Sequence, residues 1–199
     1  HLWATLLATF LGLVVAVASG FAVGLLISQK QRLAAVFQPY IIGLNSLPRI
    51  AFVPLITMIF GLGLLSKVVT AWFIVFFLVF FNTFKGGVSI EAHIINFCRT
   101  LGANDRQLTW TVRIPITASW AFAALPNAVA FSLIGVVISE FVGSTTGMGY
   151  VMITSLATLN STEMFAAITV LSILGIILVM LIRVVERWVL RWAPEFREF

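Results

Sequence analysis

Residues 2–29 read LWATLLATFLGLVVAVASGFAVGLLISQ and contain no Asp, Glu, Lys or Arg. An α-helix needs about 20 mainly apolar residues to cross the hydrocarbon core of a bilayer, so this stretch is long enough for one crossing. The rest of the chain has the same character, since 61% of its 199 residues are hydrophobic and only 10% are charged. That composition leaves too little polar surface for a water-soluble globule. The sequence therefore predicts a polytopic membrane protein.

Four further runs without charged residues predict four more crossings, at 50–66, 68–84, 114–139 and 164–182. We therefore predict an all-α membrane bundle that forms a single transmembrane domain over residues 1–199. Its five helices are predicted at 2–27, about 34–60, about 68–85, about 116–141 and about 164–184.

The basic residues predict the orientation, because positively charged loops stay on the cytoplasmic side. With five crossings, the loop after the first helix, the loop after the third helix and the C-terminus share one side. Of the twelve basic residues, Lys67 falls in an opposite loop and Arg49 in the second helix. The other ten lie on the shared side, which is predicted to be cytoplasmic: Lys30, Arg32, Lys85, Arg99, Arg106, Arg113, Arg183, Arg187, Arg191 and Arg197. The net charge of +5 is thus a signal of topology and not of nucleic-acid binding.

Two helices carry distinctive patterns. The second contains Pro39, Pro48 and Pro54, and internal prolines predict a break near residues 45–54, which is a candidate for the wall of a transport pathway. Arg49 beside this break either lines that pathway or extends to the membrane interface. On the first helix, small residues recur every four positions, which predicts a seam for close helix packing: Ala4, Ala8, Gly12, Ala16, Gly20 and Gly24.

Glu140 directly follows the apolar run 114–139, and two interpretations of it are open. A carboxylate at membrane depth usually faces the bundle interior or water, which makes Glu140 a candidate for the pathway. Alternatively it lies hydrated at the outer interface and anchors the glycine-rich loop that follows. Asn82, Ser132 and Ser139 are weaker pathway candidates, and an asparagine in the position of Asn82 more often forms a hydrogen bond between helices than binds a substrate.

Residues 88–115, here called the hairpin, contain a helical pattern, a glycine and a second short helix. IINFCRTL at 94–101 is helical in pattern, Gly102 suits a helix end, and Asn104 with Gln107 resembles a capping box. Pro115 is expected to end the motif. The charged residues of the hairpin, taken alone, would be consistent with a plain surface loop. The apolar residues instead favour burial against other helices or a partner protein: Ile94, Leu101, Leu108, Trp110 and Val112.

The hairpin resembles the cytoplasmic signature of the permease subunits of bacterial ABC importers. That signature runs Glu-Ala-Ala, three residues, Gly, nine residues, then Ile, any residue, Leu, Pro. Gly102 and Pro115 have the right separation, and Val112 and Ile114 occupy the two aliphatic positions, whereas residues 96–98 read NFC in place of the triplet. Further phrases resemble the nitrate, sulfonate, taurine and bicarbonate branch: RTLGA at 99–103, LPRIAFVPLITMIFGLG at 47–63, FFNTFKG at 80–86 and SEFVGSTTGMGY at 139–150.

The resemblance implies a type I importer permease of the bacterial inner membrane that moves a small anion or zwitterion. It implies that the loop at about 86–115, chiefly its 94–115 part, contacts a separate cytoplasmic ATPase, which binds the ATP and Mg²⁺. It also implies a second permease copy, an external binding protein and a sixth helix before His1. The expected ATPase contacts are Arg99, Thr100, Leu101, Gly102, Ala103, Asn104, Asp105 and Pro115.

The chain itself is expected to be neither an enzyme nor a cofactor-binding protein. It has no G-x-x-x-x-G-K-[ST] phosphate loop, and His1 and His93 are isolated, so that no metal site is indicated. Two other functions remain open. One is an ion-coupled secondary transporter in which Glu140 carries a proton, and the other is a membrane scaffold without a pathway.

Overall fold

A computed structural model describes residues 1–29 and 31–189 of the chain. Lys30, Arg191 and Arg197, three of the basic residues used to predict the orientation, lie outside the described residues, as does the side chain of Arg32. Within the described part, every regular element is helical. The α-helices are α1 (Leu2–Ser28), α2 (Gln31–Asn45), α3 (Val53–Phe60), α4 (Leu64–Val88), α5 (Ala92–Thr100), α6 (Asp105–Leu108), α7 (Ile114–Ala123), α8 (Leu125–Val142), α9 (Met148–Ala157) and α10 (Ser161–Val189).

Four of these helices, α1, α4, α8 and α10, are long and apolar enough to cross a membrane. A fifth crossing is available if the bent pair Leu33–Asn45 and Arg49–Phe60 counts as one span, with a bend of 76°. The predicted all-α, multi-pass membrane architecture is thereby confirmed, with four to five apolar spans against the five predicted.

The break in the second span is confirmed and lies where the prolines predicted it. After α2 ends at Asn45, Pro48 precedes a short 3₁₀ helix, Arg49–Phe52, and Pro54 lies in the first turn of α3. A proline is tolerated at that position because the first N–H groups of a helix have no partner within the helix. Pro39 is accommodated inside α2.

Two differences from the predicted boundaries bear on the sites described below. The third span begins at Leu64 rather than about 68, so it includes Lys67. The span predicted at 116–141 consists of α7 and α8, which are separated at Ala124. Pro126 follows this separation and cannot donate the backbone hydrogen bond that a continuous helix needs there.

The contacts divide the chain into two compact units, while the assignment of residues 1–199 to one domain stays a prediction. Unit 1 comprises His1–Ala16, Pro48–Phe76 and Pro126–Val185. Its core includes Ala8, Ala71 and Val136, all without solvent exposure. A Cβ added to Gly12 would lie 2.5 Å from the Cβ of Ala71, so α1 and α4 pack here at a distance that requires glycine.

Unit 2 comprises, among the described residues, Val17–Leu47, Phe77–Leu125 and residues 186–189. Gly24 continues the small-residue seam of α1, because a Cβ there would lie 2.8 Å from the Cβ of Thr83 on α4. A Cβ added to Gly86 would likewise lie 2.6 Å from Cγ of Trp120 in α7. The predicted seam therefore packs α1 against α4 within each unit.

Candidate functional site: the hairpin and a buried ion pair

The turn of the hairpin forms as the sequence predicted. α5 ends at Thr100, and Gly102 has φ +85°, a conformation that suits glycine. Its N–H donates to the Arg99 carbonyl (2.9 Å), and the N–H of Ala103 donates to the Cys98 carbonyl (3.0 Å). Together these bonds satisfy carbonyl groups at the end of α5, so Gly102 provides the sharp stop.

The capping box that opens α6 is confirmed. The Asn104 side chain accepts from the backbone N–H of Gln107 at 2.8 Å, and the Gln107 side chain accepts from the N–H of Asn104 at 2.9 Å. One ion pair spans the turn, since Arg99 Nη2 lies 3.1 Å from Asp105 Oδ1 with both side chains exposed. Exposed pairs stabilise little. The local conformation therefore depends mainly on the backbone bonds and the cap.

Apolar side chains on the hairpin are divided between its interior and its surface. Leu108 is 1% exposed, and Ile94 and Val112 are half-buried. Leu101 is 73% exposed and Trp110 is 66% exposed. Beside Leu101 lies a cavity of about 300 Å³ lined by Cys98, Leu101, Gly102, Ala103, Gln107, Leu108, Thr111 and Val112. The hairpin thus presents an apolar, concave surface on a polar framework, which is typical of a protein-binding site.

Pro115 does not end the motif, which corrects the sequence prediction. Residues Thr109–Arg113 form one π-helical turn after α6, and the chain passes directly into α7 at Ile114. Pro115 occupies the first turn of α7, and that turn tolerates a residue without an N–H. Pro115 therefore lies within a helical path that continues past it, and it does not end that path.

The pathway candidates Asn82, Ser132 and Ser139 lie in helices, and their roles stay predictions. Asn82 in unit 2 is half-buried and donates to the Leu78 carbonyl of its own helix at 2.8 Å. Ser132 is fully buried in unit 1 and donates to the Thr9 carbonyl of α1 at 2.9 Å. Ser139 is also fully buried, and its hydroxyl has no hydrogen-bond partner within the described part of the chain.

Glu140 belongs to a buried ion pair that the sequence did not reveal. Its carboxylate has no solvent exposure, and Oε1 lies 3.1 Å from Nζ of Lys67, whose side chain is 3% exposed. The Thr5 hydroxyl lies 2.9 Å from Oε1 and 3.0 Å from Oε2. Lys67 is therefore a buried residue of α4, not a residue of an external loop, and Glu140 is not hydrated. The interpretation that Glu140 anchors the following loop agrees with this geometry.

The first N–H groups of α9 are capped by side chains from α8 and from the N-terminal residues. The N–H of Gly149 donates to Glu140 Oε2 (2.8 Å), that of Met148 to the Thr5 hydroxyl (2.9 Å) and that of Gly147 to His1 Nδ1 (3.1 Å). Lys67 Nζ also donates to the Thr146 carbonyl just before the helix. This arrangement, here called the α9 anchor, comprises Thr5, Lys67 and Glu140 with the residues from 146 to 149.

Comparisons with known proteins agree with the fold and with the motifs at these sites. The sequence profile of the family described as "Binding-protein-dependent transport system inner membrane component" matches residues 8–192. The formylaminopyrimidine transport permease protein ThiX of Halalkalibacterium halodurans is 30% identical over 195 residues, covering 98% of this chain and 78% of that protein.

Two further relatives are similar over the same share of the chain. The putative aliphatic sulfonates transport permease protein SsuC of Bacillus subtilis is 27% identical and covered over 71% of its length. The taurine transport system permease protein TauC of Escherichia coli is 26% identical, with 71% covered. Each alignment includes 98% of this chain. The chain therefore belongs to the inner membrane components of binding-protein-dependent transport systems, the ABC permease family that its motifs resemble.

Proposed function

We propose that this permease is driven by a separate cytoplasmic ATPase that binds the hairpin, and that it imports a small anionic or zwitterionic solute. The chain is an inner-membrane, multi-pass permease subunit and not itself an enzyme. The ATPase would bind ATP and Mg²⁺, an external binding protein would deliver the solute, and a second permease copy would complete the membrane part. In this arrangement the hairpin and the C-terminus are cytoplasmic.

The observation that carries the proposal is the exposed apolar surface of the hairpin. Leu101 and Trp110 are large apolar residues that stay exposed on a segment whose turn and cap are otherwise well satisfied. Burying an apolar side chain of this size contributes about 1.5–3 kcal/mol. Leu101 also lines the cavity beside the turn. A partner that covers this surface would therefore gain binding energy without any refolding of the hairpin.

The solute class is proposed from the relatives. Their names specify formylaminopyrimidine, aliphatic sulfonates and taurine, which differ in size and charge. The sulfonate and taurine relatives favour an anion or a zwitterion. Uptake of labelled taurine, an aliphatic sulfonate, nitrate and bicarbonate by the reconstituted complex would separate these choices.

The rival function, ion-coupled transport with Glu140 as proton carrier, is disfavoured by two observations. The carboxylate is enclosed, and both of its oxygens accept hydrogen bonds from Thr5, Lys67 or Gly149. Family membership also favours a separate energy source. Uptake that depends on a proton gradient and needs no ATPase would instead support ion-coupled transport.

Leu101→Asp provides a direct test, because Leu101 is 73% exposed and its replacement disturbs little internal packing. The ATPase should co-purify with the unmodified permease and be lost from the variant, together with ATP-dependent uptake. Leu159→Asp is a matched control, since Leu159 is 87% exposed and lies in the connection between α9 and α10. Co-purification of the ATPase should survive in this control. Retention of the ATPase by Leu101→Asp would refute the proposed docking surface.

A further inference from the structure

The first backbone N–H groups of α9 are buried and need hydrogen-bond acceptors. The first N–H groups of any helix lack acceptors within the helix, and where they are buried water does not supply them. Met148 is 8% exposed and Gly149 is buried. The start of α9 therefore depends on acceptors from other segments, which Glu140, Thr5 and His1 provide.

The charges of Glu140 and Lys67 suit the N-terminus of a buried helix. A carboxylate is favourable at a helix N-terminus, where the backbone dipoles place partial positive charge. Burying it without a counter-charge would be strongly unfavourable. Lys67 supplies that charge at 3.1 Å, and its donation to the Thr146 carbonyl also connects α4 to the segment before α9.

Two glycines allow α9 to approach Glu140 closely. Gly147 has φ +121°, and a Cβ there would overlap the Glu140 carboxylate. A Cβ on Gly149 would lie 2.7 Å from the Cβ of Glu140 and 2.6 Å from the Val137 carbonyl oxygen. The contact between the start of α9 and the end of α8 is thus tight over several residues.

We propose that Thr5, Lys67 and Glu140 are positioning residues that keep α9 docked on α1 and α8 throughout transport. Undocking would expose three backbone donors and separate a buried ion pair at the same time. On this proposal, Glu140 contacts neither the solute nor a transported proton, and α9 does not act as a gate that opens. The inference rests on the proposed function only where transport is its readout.

A pair of double variants separates positioning from charge alone. Lys67→Met with Glu140→Gln removes both charges and keeps an acceptor for Gly149, so ATP-dependent uptake should stay within about threefold of the unmodified complex. Lys67→Glu with Glu140→Lys preserves opposite charges but places an ammonium group, which cannot accept, at the start of α9. Its uptake should fall by more than about tenfold. The proposal is overturned if the exchanged pair transports normally, or if the neutral pair assembles normally and does not transport.

Cross-linking tests directly whether α9 stays docked during transport. Cys98 is the one cysteine of the chain, so Cys98→Ser gives a cysteine-free background. The rings of His1 and Tyr150 stack with centroids 5.7 Å apart, which makes His1→Cys with Tyr150→Cys a suitable pair for a short thiol cross-linker. The cross-linked complex should transport like the same variant before cross-linking. Loss of uptake that reduction reverses would show that α9 has to move, and would refute the proposal.

Failure of the proposed function can be distinguished from failure of the anchor proposal. If the proposed function is wrong, the unmodified complex itself shows no ATP-dependent uptake. The cross-linking yield would still test the anchor, since it should be high with the neutral pair and low with the exchanged pair. Equal yields would overturn the proposal.

Discussion

Replacement of Gly147 by alanine tests the α9 anchor through stability alone. Gly147 has φ +121° and ψ 170°, a region essentially restricted to glycine, where another residue is strained by about 1–3 kcal/mol. The added Cβ would overlap the Glu140 carboxylate, which would then have to leave Lys67. Breaking a buried pair costs about 3–5 kcal/mol. The free energy of unfolding should therefore fall by roughly 4–8 kcal/mol.

Gly102→Ala is the matched control, since Gly102 also has positive φ, at +85°, but no atom lies within 4 Å of an added Cβ. Strain alone should lower the stability there by about 1–2 kcal/mol. Titration of the detergent-solubilised protein with SDS, followed by far-UV circular dichroism, compares the two variants. Equal destabilisation would refute the argument that Gly147 is required by its contact with Glu140.

Three further outcomes can be measured on the same protein. Asn104→Ala removes the capping box and should lower the stability of the hairpin by about 1 kcal/mol, seen as roughly fivefold faster amide exchange there. Ser132→Ala removes a buried hydrogen bond between α8 and α1 and should lower the free energy of unfolding by about 1 kcal/mol. Gly12→Leu should overpack the contact with Ala71 and cost at least about 1–3 kcal/mol. Gly43→Leu, where nothing lies within 4 Å of an added Cβ, should not lower the free energy of unfolding, since leucine is also the better helix former. A stable Gly12→Leu variant would contradict the close packing of α1.

Local features of the chain were predictable because their signals are contiguous in sequence. The break at Pro48 and the turn at Gly102 each follow from the backbone chemistry of one residue. The cap of Asn104 with Gln107 follows from side chains three positions apart. Apolar length predicted the four long spans in the same way.

The α9 anchor escaped prediction because its partners are far apart in the chain. Lys67 and Glu140 are 73 positions apart, and no periodicity connects them. Treating a charged residue as the end of a span excluded Lys67 from α4, although a paired charge is tolerated inside a bundle. Pro115 was misplaced for a different reason, since proline is compatible with both the region after a helix and its first turn.

The uninterrupted helical path from Asp105 to Ala123 has a mechanical consequence. α6, the π-helical turn and α7 follow one another without a loop, and at about 1.5 Å per residue the path is about 28 Å long. A displacement at the tip of the hairpin can therefore pass into α7 along helical backbone alone, with no loop between them. The π-helical turn at Thr109–Arg113 is the place where that path is expected to bend, because its hydrogen bonding departs from the regular α pattern.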